Sequence, residues 1–183
     1  MNAYNRVGDV SKDAEISRDG TYRYRLWRCW QRDWPMMRFV MLNPSTADTT
    51  VDDPTIRRCI GFAADAGCGS ILVVNLFAYR ATKPADLIAA CLANRELANE
   101  GIEYLHSEIA RAALAQRAHV FAPVVAAWGS SWRKLSGRGV MRPDVEGYAE
   151  KVGAQLSCFG LTQQGDPRHP LYVRGDTRLV DYP

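Results

Sequence analysis

Four short apolar segments, separated by helical segments, place the strongest constraint on the fold of this chain. Continuous apolar runs cover Arg38 to Leu42 and Ser70 to Phe77, which is typical of strands buried on both faces. Val120 to Trp128 and Ala154 to Leu161 have a similar character, and Pro123 is expected to delay the start of the former. Strands that alternate with helices predict right-handed crossovers and a mostly parallel sheet of about four core strands.

The segments between these strands have helical patterns. Asp53 and Pro54 occupy the positions of an N-cap and a first-turn proline, and the apolar stripe that follows stops at Gly67. We therefore interpret Asp53 as a helix cap rather than as a site residue. Further helices are predicted over about 84–92, 95–116 and 144–152.

The N-terminal part predicts a β-hairpin at about residues 15–35. Tyr22 to Trp30 alternates aromatic or apolar residues with arginines after a turn at Asp19-Gly20, so one face of this strand is expected to be wet. The α/β core is expected at about 36–175. With 183 residues, 47% of them apolar, and no linker, the chain predicts a single domain over 1–183. The predicted fold is a three-layer α/β/α sandwich.

Composition argues against several classes of protein. The net charge of +3 is mild and does not by itself indicate nucleic-acid binding, and no apolar run is long enough to span a membrane. An odd number of scattered cysteines and the lack of a secretory signal favour a reducing, cytoplasmic location. None of the cysteines is paired at the spacing of a metal motif, and no cofactor is expected. They are Cys29, Cys59, Cys68, Cys91 and Cys158.

The first polar tip, at 42–46, follows the first buried strand. Asn43 precedes Pro44, which excludes helical geometry, and its carboxamide can orient a water with its oxygen while its NH2 donates to a substrate. An Asx-turn that merely closes the strand is the alternative interpretation. Ser45 and Thr46 are candidates for a phosphate-binding nest.

The second polar tip, at 167–171, follows the last core strand. His169 lies between Arg168 and Pro170, and this stiffened backbone favours a positioned hydrogen-bond donor or acid/base over a structural histidine. Because carboxyl ends of parallel strands meet at one edge of a sheet, both tips are expected to form one site.

Other candidates follow the middle strands. Asn75 is a carboxamide in an apolar run and must find partners at the strand end or in a buried network. Arg80 is expected to bind a phosphate or carboxylate, or to pair with an acid such as Asp48 or Asp52. A loop with Trp128 and Trp132 stacks on a base or packs on the sheet. The remaining predicted substrate-binding residues are Phe77, Gly129 and Ser130.

Specific motifs identify a family. LNPST, DDPTIRRC, NLFAYRAT, AAWG and PRHPLY occur in this order, and from about Tyr22 to Val173 the chain resembles the bacterial and phage family named domain of unknown function 1643. That name implies no activity.

A more distant resemblance implies chemistry. The order of an Asn-Pro tip, a strand with Asn, a strand ending in Gly and a His-Pro tip is similar to that of the uracil-DNA glycosylase superfamily. On this resemblance Asn43 positions the attacking water, Asn75 reads a base edge and His169 stabilises charge on the departing base. Pro44 shapes the first loop.

Three functional hypotheses follow. The first is an enzyme that hydrolyses the N-glycosidic bond of a base in DNA or a nucleotide. The second is a module that binds a nucleotide or modified base without chemistry. The third is a phosphoester hydrolase that uses Asp48 and Asp52 with a divalent ion. The sequence leaves the base, the nucleic acid and the oligomeric state open.

Overall fold

The computed structural model describes residue 4 and residues 7–183 of the chain. In this part the structure has seven strands: β1 (Ser11–Ile16), β2 (Arg23–Cys29), β3 (Met36–Met41), β4 (Ser70–Asn75), β5 (Val124–Ala126), β6 (Leu156–Cys158) and β7 (Val180–Asp181). The α-helices of the same part are α1 (Pro54–Asp65), α2 (Pro84–Ala93), α3 (Ile102–Arg117), α4 (Arg133–Ser136) and α5 (Val145–Val152). The fold is therefore mixed α/β.

The strands form one sheet in the order β1-β2-β4-β3-β5-β6-β7. β4, β3, β5 and β6 run parallel to one another, whereas β2 and β7 join the two sides of this group antiparallel. All four parallel strands consequently end at the same edge, and the loops after them are neighbours in space. This edge carries the candidate site.

Successive side chains of a strand point to opposite faces of the sheet, so each middle strand contributes to two apolar clusters. On β4, Leu72 and Val74 pack in a cluster with residues of α2, α3 and α5. Ile71 and Val73 pack in a second cluster with residues of α1. The apolar runs of the middle strands are thus explained by burial on both faces.

The N-terminal hairpin exists but is shifted toward the N-terminus from its predicted position. β1 pairs with β2, and β2 in turn pairs with β4. Sequence reasoning missed β1 because this outer strand is largely exposed and lacks an apolar alternation.

One long helix predicted over 95–116 is two elements. A short 3-10 helix, Arg95–Ala98, precedes α3, and Gly101 between them has a φ of 79°. A Cβ on Gly101 would lie 2.8 Å from the Cβ of Ala78, so only glycine fits this close approach. By contrast, β5 begins after Pro123, as expected from its missing N–H.

All five cysteines are free thiols and buried. Within residue 4 and residues 7–183, no helix has the length and apolar character needed to cross a membrane.

Candidate functional site

A pocket of about 760 Å³ opens at the carboxyl edge of the parallel strands. It is lined by Asn43 from the loop after β3, by Gly129 from the loop after β5 and by His169 from the loop after β6. The two polar tips singled out in the sequence therefore contribute to one cavity. Among the other predicted residues, the pocket is also lined by Ser45, Thr46, Trp128, Ser130 and Arg168.

The carboxamide of Asn43 is held in one orientation. Its Nδ2 donates to the carbonyl of Ala81 at 2.8 Å and to the carbonyl of Pro44 at 3.0 Å. Both partners are acceptors, so the nitrogen must face them and Oδ1 is left to accept a hydrogen bond. The expected donation of this NH2 to a substrate is not what the structure shows, because backbone carbonyls already use both of its hydrogens.

His169 is also held in one protonation form. The N–H of Leu171 donates to Nδ1 of His169 at 3.3 Å, as the 3-10 helix Pro170–Tyr172 begins. An accepting Nδ1 carries no proton, so a neutral ring has its proton on Nε2. Nε2–H is therefore the donor that the ring can offer to a ligand.

Burial keeps this ring neutral at physiological pH. Desolvation lowers the pKa of His169 from 6.5 to about 4, and the negative charge of Asp53 opposes the shift only in part. A neutral imidazole is suited to donate a hydrogen bond to developing negative charge, whereas it is a weak general acid for full proton transfer at pH 7.

Backbone contacts fix the loop that carries His169. The N–H of Gly129 donates to the carbonyl of Pro167 at 3.0 Å, and Gly129 has a φ of 66°. The guanidinium of Arg58, on α1, donates to the carbonyls of Pro170 and Val173. His169 thus lies between a glycine turn on one side and an arginine tether on the other.

The first tip, at 42–46, offers backbone hydrogen-bond donors as well as the accepting Oδ1 of Asn43. Among the described residues, neither the backbone N–H of Ser45 nor that of Thr46 donates a hydrogen bond to protein. Consecutive N–H groups that are left open at a loop are suited to an anion such as a phosphate. This geometry is compatible with the nest predicted for Ser45 and Thr46.

Aromatic side chains border the same pocket. Trp128 is almost fully buried and its ring lies under the guanidinium of Arg142, which also stacks on Trp132. Tyr172 is 82% exposed, and its ring centroid lies 5.5 Å from that of His169. An exposed aromatic ring at the edge of a pocket is available to stack on a flat ligand.

Four predicted binding residues do not line this pocket. Pro44, within the first tip, is buried, and its carbonyl accepts the N–H of Ala81 at 2.9 Å. Phe77 is fully buried in the apolar cluster of α2, α3 and α5. Arg80 donates to the carbonyl of Gly20 rather than to Asp48 or Asp52. Asn75 is the fourth.

Asn75 lies in the interior with unmet hydrogen-bonding groups. Only 6% of it is exposed, and neither its amide nitrogen nor its amide oxygen has a hydrogen-bond partner. It is in register with Met41 of β3, at the last position of β4. Arg23 of β2 is also buried, and its Nε lacks a partner although Nη1 donates to the carbonyl of Ala47.

The two carboxylates proposed for metal binding have structural partners. Asp52 accepts from Arg28 at 2.6 Å and from Lys12 at 3.0 Å. Burial is the largest influence on its pKa and raises it, but the hydrogen bonds and charges of these two cations together leave the pKa lowered. Asp48 accepts from the backbone of Thr50 and Val51 in a turn. Neither carboxylate lines the pocket.

No metal-binding cluster is evident in the part of the chain that the structure describes, where groups of three or more histidine, cysteine, aspartate or glutamate residues in suitable positions are absent.

Comparison with known proteins gives the family. A protein-family model described as "Protein of unknown function (DUF1643)" matches residues 23–171. The chain belongs to this family. Neither a curated protein nor a solved structure matches it. The family resemblance seen in the sequence motifs is thus confirmed, and the pocket of this DUF1643 protein lies almost entirely within the matched range.

Sequence reasoning missed several pocket residues of this DUF1643 protein. The capping role predicted for Asp53 is confirmed, since its Oδ1 accepts from the N–H of Ile56 at 2.8 Å, but Asp53 also lines the pocket. Its position one residue before a proline at a loop end was visible in the sequence. The other missed polar or exposed residues are Thr55, Thr82, Ser131, Thr162, Leu171 and Tyr172.

Proposed function

We propose that this protein hydrolyses the N-glycosidic bond of a nucleobase in DNA or in a nucleotide. The observation that carries the proposal is the pairing, in one pocket, of a neutral histidine with a fixed carboxamide. Cleavage of such a bond leaves negative charge on the departing base and requires a positioned water at the sugar carbon. These are the two tasks for which His169 and Asn43 have suitable atoms.

His169 serves the departing base. Its Nε2–H donates to an oxygen of the base as the bond to the sugar breaks, and a preorganised donor of this kind contributes about 2.7–4 kcal/mol to the transition state. The Nδ1 contact with Leu171 holds the required tautomer.

Asn43 serves the water. Because Ala81 and Pro44 take both amide hydrogens, Oδ1 stays directed to accept a hydrogen bond from one water proton. A group held by two backbone carbonyls needs no reorganisation when the substrate binds.

The lining of the pocket supports a nucleotide unit as the ligand. The exposed ring of Tyr172 provides a stacking surface, and the open N–H groups of Ser45 and Thr46 suit a phosphate. Exposed Arg168 adds positive charge at the lining. A base within duplex DNA would have to leave the stack to enter.

We also propose the finer description of the fold that accompanies this function. Two apolar clusters, one with α1 and one with α2, α3 and α5, support a three-layer α/β/α sandwich. A single domain and a cytoplasmic location stay predictions from the sequence.

Binding without chemistry is the second candidate, and one observation favours it. The amide hydrogens of Asn43 hold the loop after β3 to the carbonyls of Ala81 and Pro44, so the residue has a structural role even without a reaction, although the contacts are not those of the predicted Asx-turn. The phosphoester hydrolase is less supported, because the contacts of Asp48 and Asp52 hold both carboxylates outside the pocket.

Released base is the test. Purified protein is incubated with base-modified and mismatched oligonucleotides and with free nucleotides, with and without a chelator, and free base is measured by chromatography. We expect base release that is insensitive to the chelator. Binding without release would favour the module, and phosphate release abolished by the chelator would favour the metal-dependent hydrolase.

A further inference from the structure

Asp53 differs from its neighbour Asp52 in what its carboxylate contacts. Asp52 is paired with Arg28 and Lys12. The carboxylate of Asp53 accepts one hydrogen bond within the described residues, from Ile56 N–H to Oδ1, and makes no ion pair. One oxygen thus caps α1, while the other is uncommitted in a residue that lines the pocket.

The negative charge of Asp53 affects the pKa values of two other side chains, His169 and Arg23. Burial lowers the pKa of His169 to about 4 and that of Arg23 to about 10, and in both cases the negative charge of Asp53 acts against the shift. Asp53, Asn43 and His169 all line the same pocket. The buried Nε of Arg23 has no hydrogen-bond partner within the described residues.

We propose that Asp53 is a catalytic carboxylate of this pocket, with Oδ1 capping α1 and Oδ2 facing the sugar of the bound nucleotide. This inference rests on the proposed glycosidic-bond hydrolysis. Positive charge develops on the sugar in such reactions, and a nearby carboxylate stabilises it. The same oxygen accepts the proton of the attacking water.

The water oxygen forms a bond to C1′ of the sugar while the bond from C1′ to the base nitrogen breaks, and its electron pair leaves with the base. One proton of the water passes to Oδ2 of Asp53 and later to solvent, and the base takes up a proton from solvent. Asn43 holds the water, and Nε2–H of His169 meets the charge on the base.

Asp53→Asn separates the two roles of the residue. Asparagine is as good an N-cap as aspartate, so the variant keeps the cap and loses only the charge. Asp144→Asn is the matched control, because Asp144 caps α5 through the N–H of Gly147 at 3.0 Å and does not line the pocket. Should Asp53→Asn fold poorly, Asp53→Ser supplies a second uncharged cap.

Two readouts are compared for wild type, Asp53→Asn and Asp144→Asn. The first is base release from the substrate found in the screen, and we expect a loss of about a hundredfold in Asp53→Asn only. The second is binding of two sugar analogues, a cationic pyrrolidine and a neutral tetrahydrofuran. Each is presented in a single-stranded oligonucleotide and as a free 5′-monophosphate, which separates the two sources of the nucleotide unit.

Wild type and Asp144→Asn should bind the cationic pyrrolidine about tenfold more tightly than the neutral tetrahydrofuran, which corresponds to 1.4 kcal/mol. Asp53→Asn should bind the two analogues equally well, because it lacks the negative charge. Unchanged turnover and unchanged preference in Asp53→Asn would overturn the role of Asp53 while leaving the proposed function intact. A wild type that releases no base and binds neither analogue in either form would overturn the proposed function and this inference together.

Discussion

Two regions of this protein differ in how completely their buried polar groups are hydrogen-bonded. On the α3 side of the sheet, buried Glu108 accepts from Arg25 at 3.0 Å, Arg111 at 2.7 Å and Arg38 at 3.3 Å. At the carboxyl edge, buried polar atoms lack partners. In the described part of the chain, all such side-chain atoms belong to Arg23, Asn75, Arg80 and Arg142.

The unmet groups share a location. Asn75 ends β4 and Arg80 follows shortly after, Arg23 donates its backbone N–H to Ala78, and Arg142 stacks on Trp128 beyond β5. An unmet buried polar group costs about 1–3 kcal/mol, so these groups lower the stability of the fold unless a water or a ligand satisfies them. We propose from this difference that the α3 region serves the fold and that the carboxyl edge, where the pocket lies, serves a ligand, although none of these four residues lines the pocket itself.

The largest expected effect concerns Glu108, on the α3 side of the sheet. Glu108→Gln removes the charge that three arginines share, and it should lower the free energy of unfolding by about 3 kcal/mol. Glu103→Gln, on the exposed face of α3, is the control and should change it by less than about 0.5 kcal/mol. Urea unfolding measures both, and base release by folded Glu108→Gln should match wild type. If the folded Glu108→Gln variant lost base release, the proposed division between the α3 region and the carboxyl edge would be wrong.

A second expected effect concerns pH. His169 has a pKa of about 4 in the folded protein and about 6.5 when unfolded, so the unfolded state binds more protons between these values. Stability should therefore fall as the pH drops from 6.5 toward 4. Between pH 7 and pH 5, the free energy of unfolding of the His169→Gln variant should fall by about 1–2 kcal/mol less than that of wild type.

The control for the pH experiment is His119→Asn, because His119 is exposed and its φ of 58° suits asparagine. Unfolding curves at pH 5 and pH 7 provide the measurement. An identical pH dependence in His169→Gln and wild type would show that the ring of His169 is not kept neutral by burial.

The smallest expected effect comes from Asn75. Asn75→Leu removes two unmet polar atoms from an apolar setting, so the free energy of unfolding should stay the same or rise by about 1 kcal/mol. Binding of the nucleotide should weaken if Asn75 meets the base after a local rearrangement. Destabilisation by more than about 1 kcal/mol would indicate that Asn75 has a structural partner such as a buried water.

The sequence predicted the parallel strands and most helices because their signals are local. Continuous apolar runs marked β3 and β4, and the Asp53-Pro54 pair marked the start of α1. β1 and β7 were missed, since short exposed edge strands are defined by their partners rather than by their own pattern. The break before α3 depends on the approach of Gly101 to Ala78, which is a tertiary contact.

The site was predictable where chain geometry determined it. Parallel strands bring the tips at Asn43 and His169 to one edge whatever their contacts, and both do line the pocket. The side chain of Asp53 has a second role that its capping position concealed. Asn75 was harder to place, because the face on which a strand residue lies depends on the register of its neighbours.

A double-mutant cycle on Asn43 and His169 tests whether the two side chains act on one substrate in one pocket. Each single change to alanine should reduce base release by folded protein by about a hundredfold or more, because each removes one preorganised polar group. Asn43→Ala also removes the donor to the carbonyls of Ala81 and Pro44, so it should lower the free energy of unfolding by about 1–3 kcal/mol. If both groups act on one bound substrate in one step, the double variant should lose far less than the product of the two single losses. Multiplicative losses, or full activity in the His169→Ala variant, would contradict a shared site.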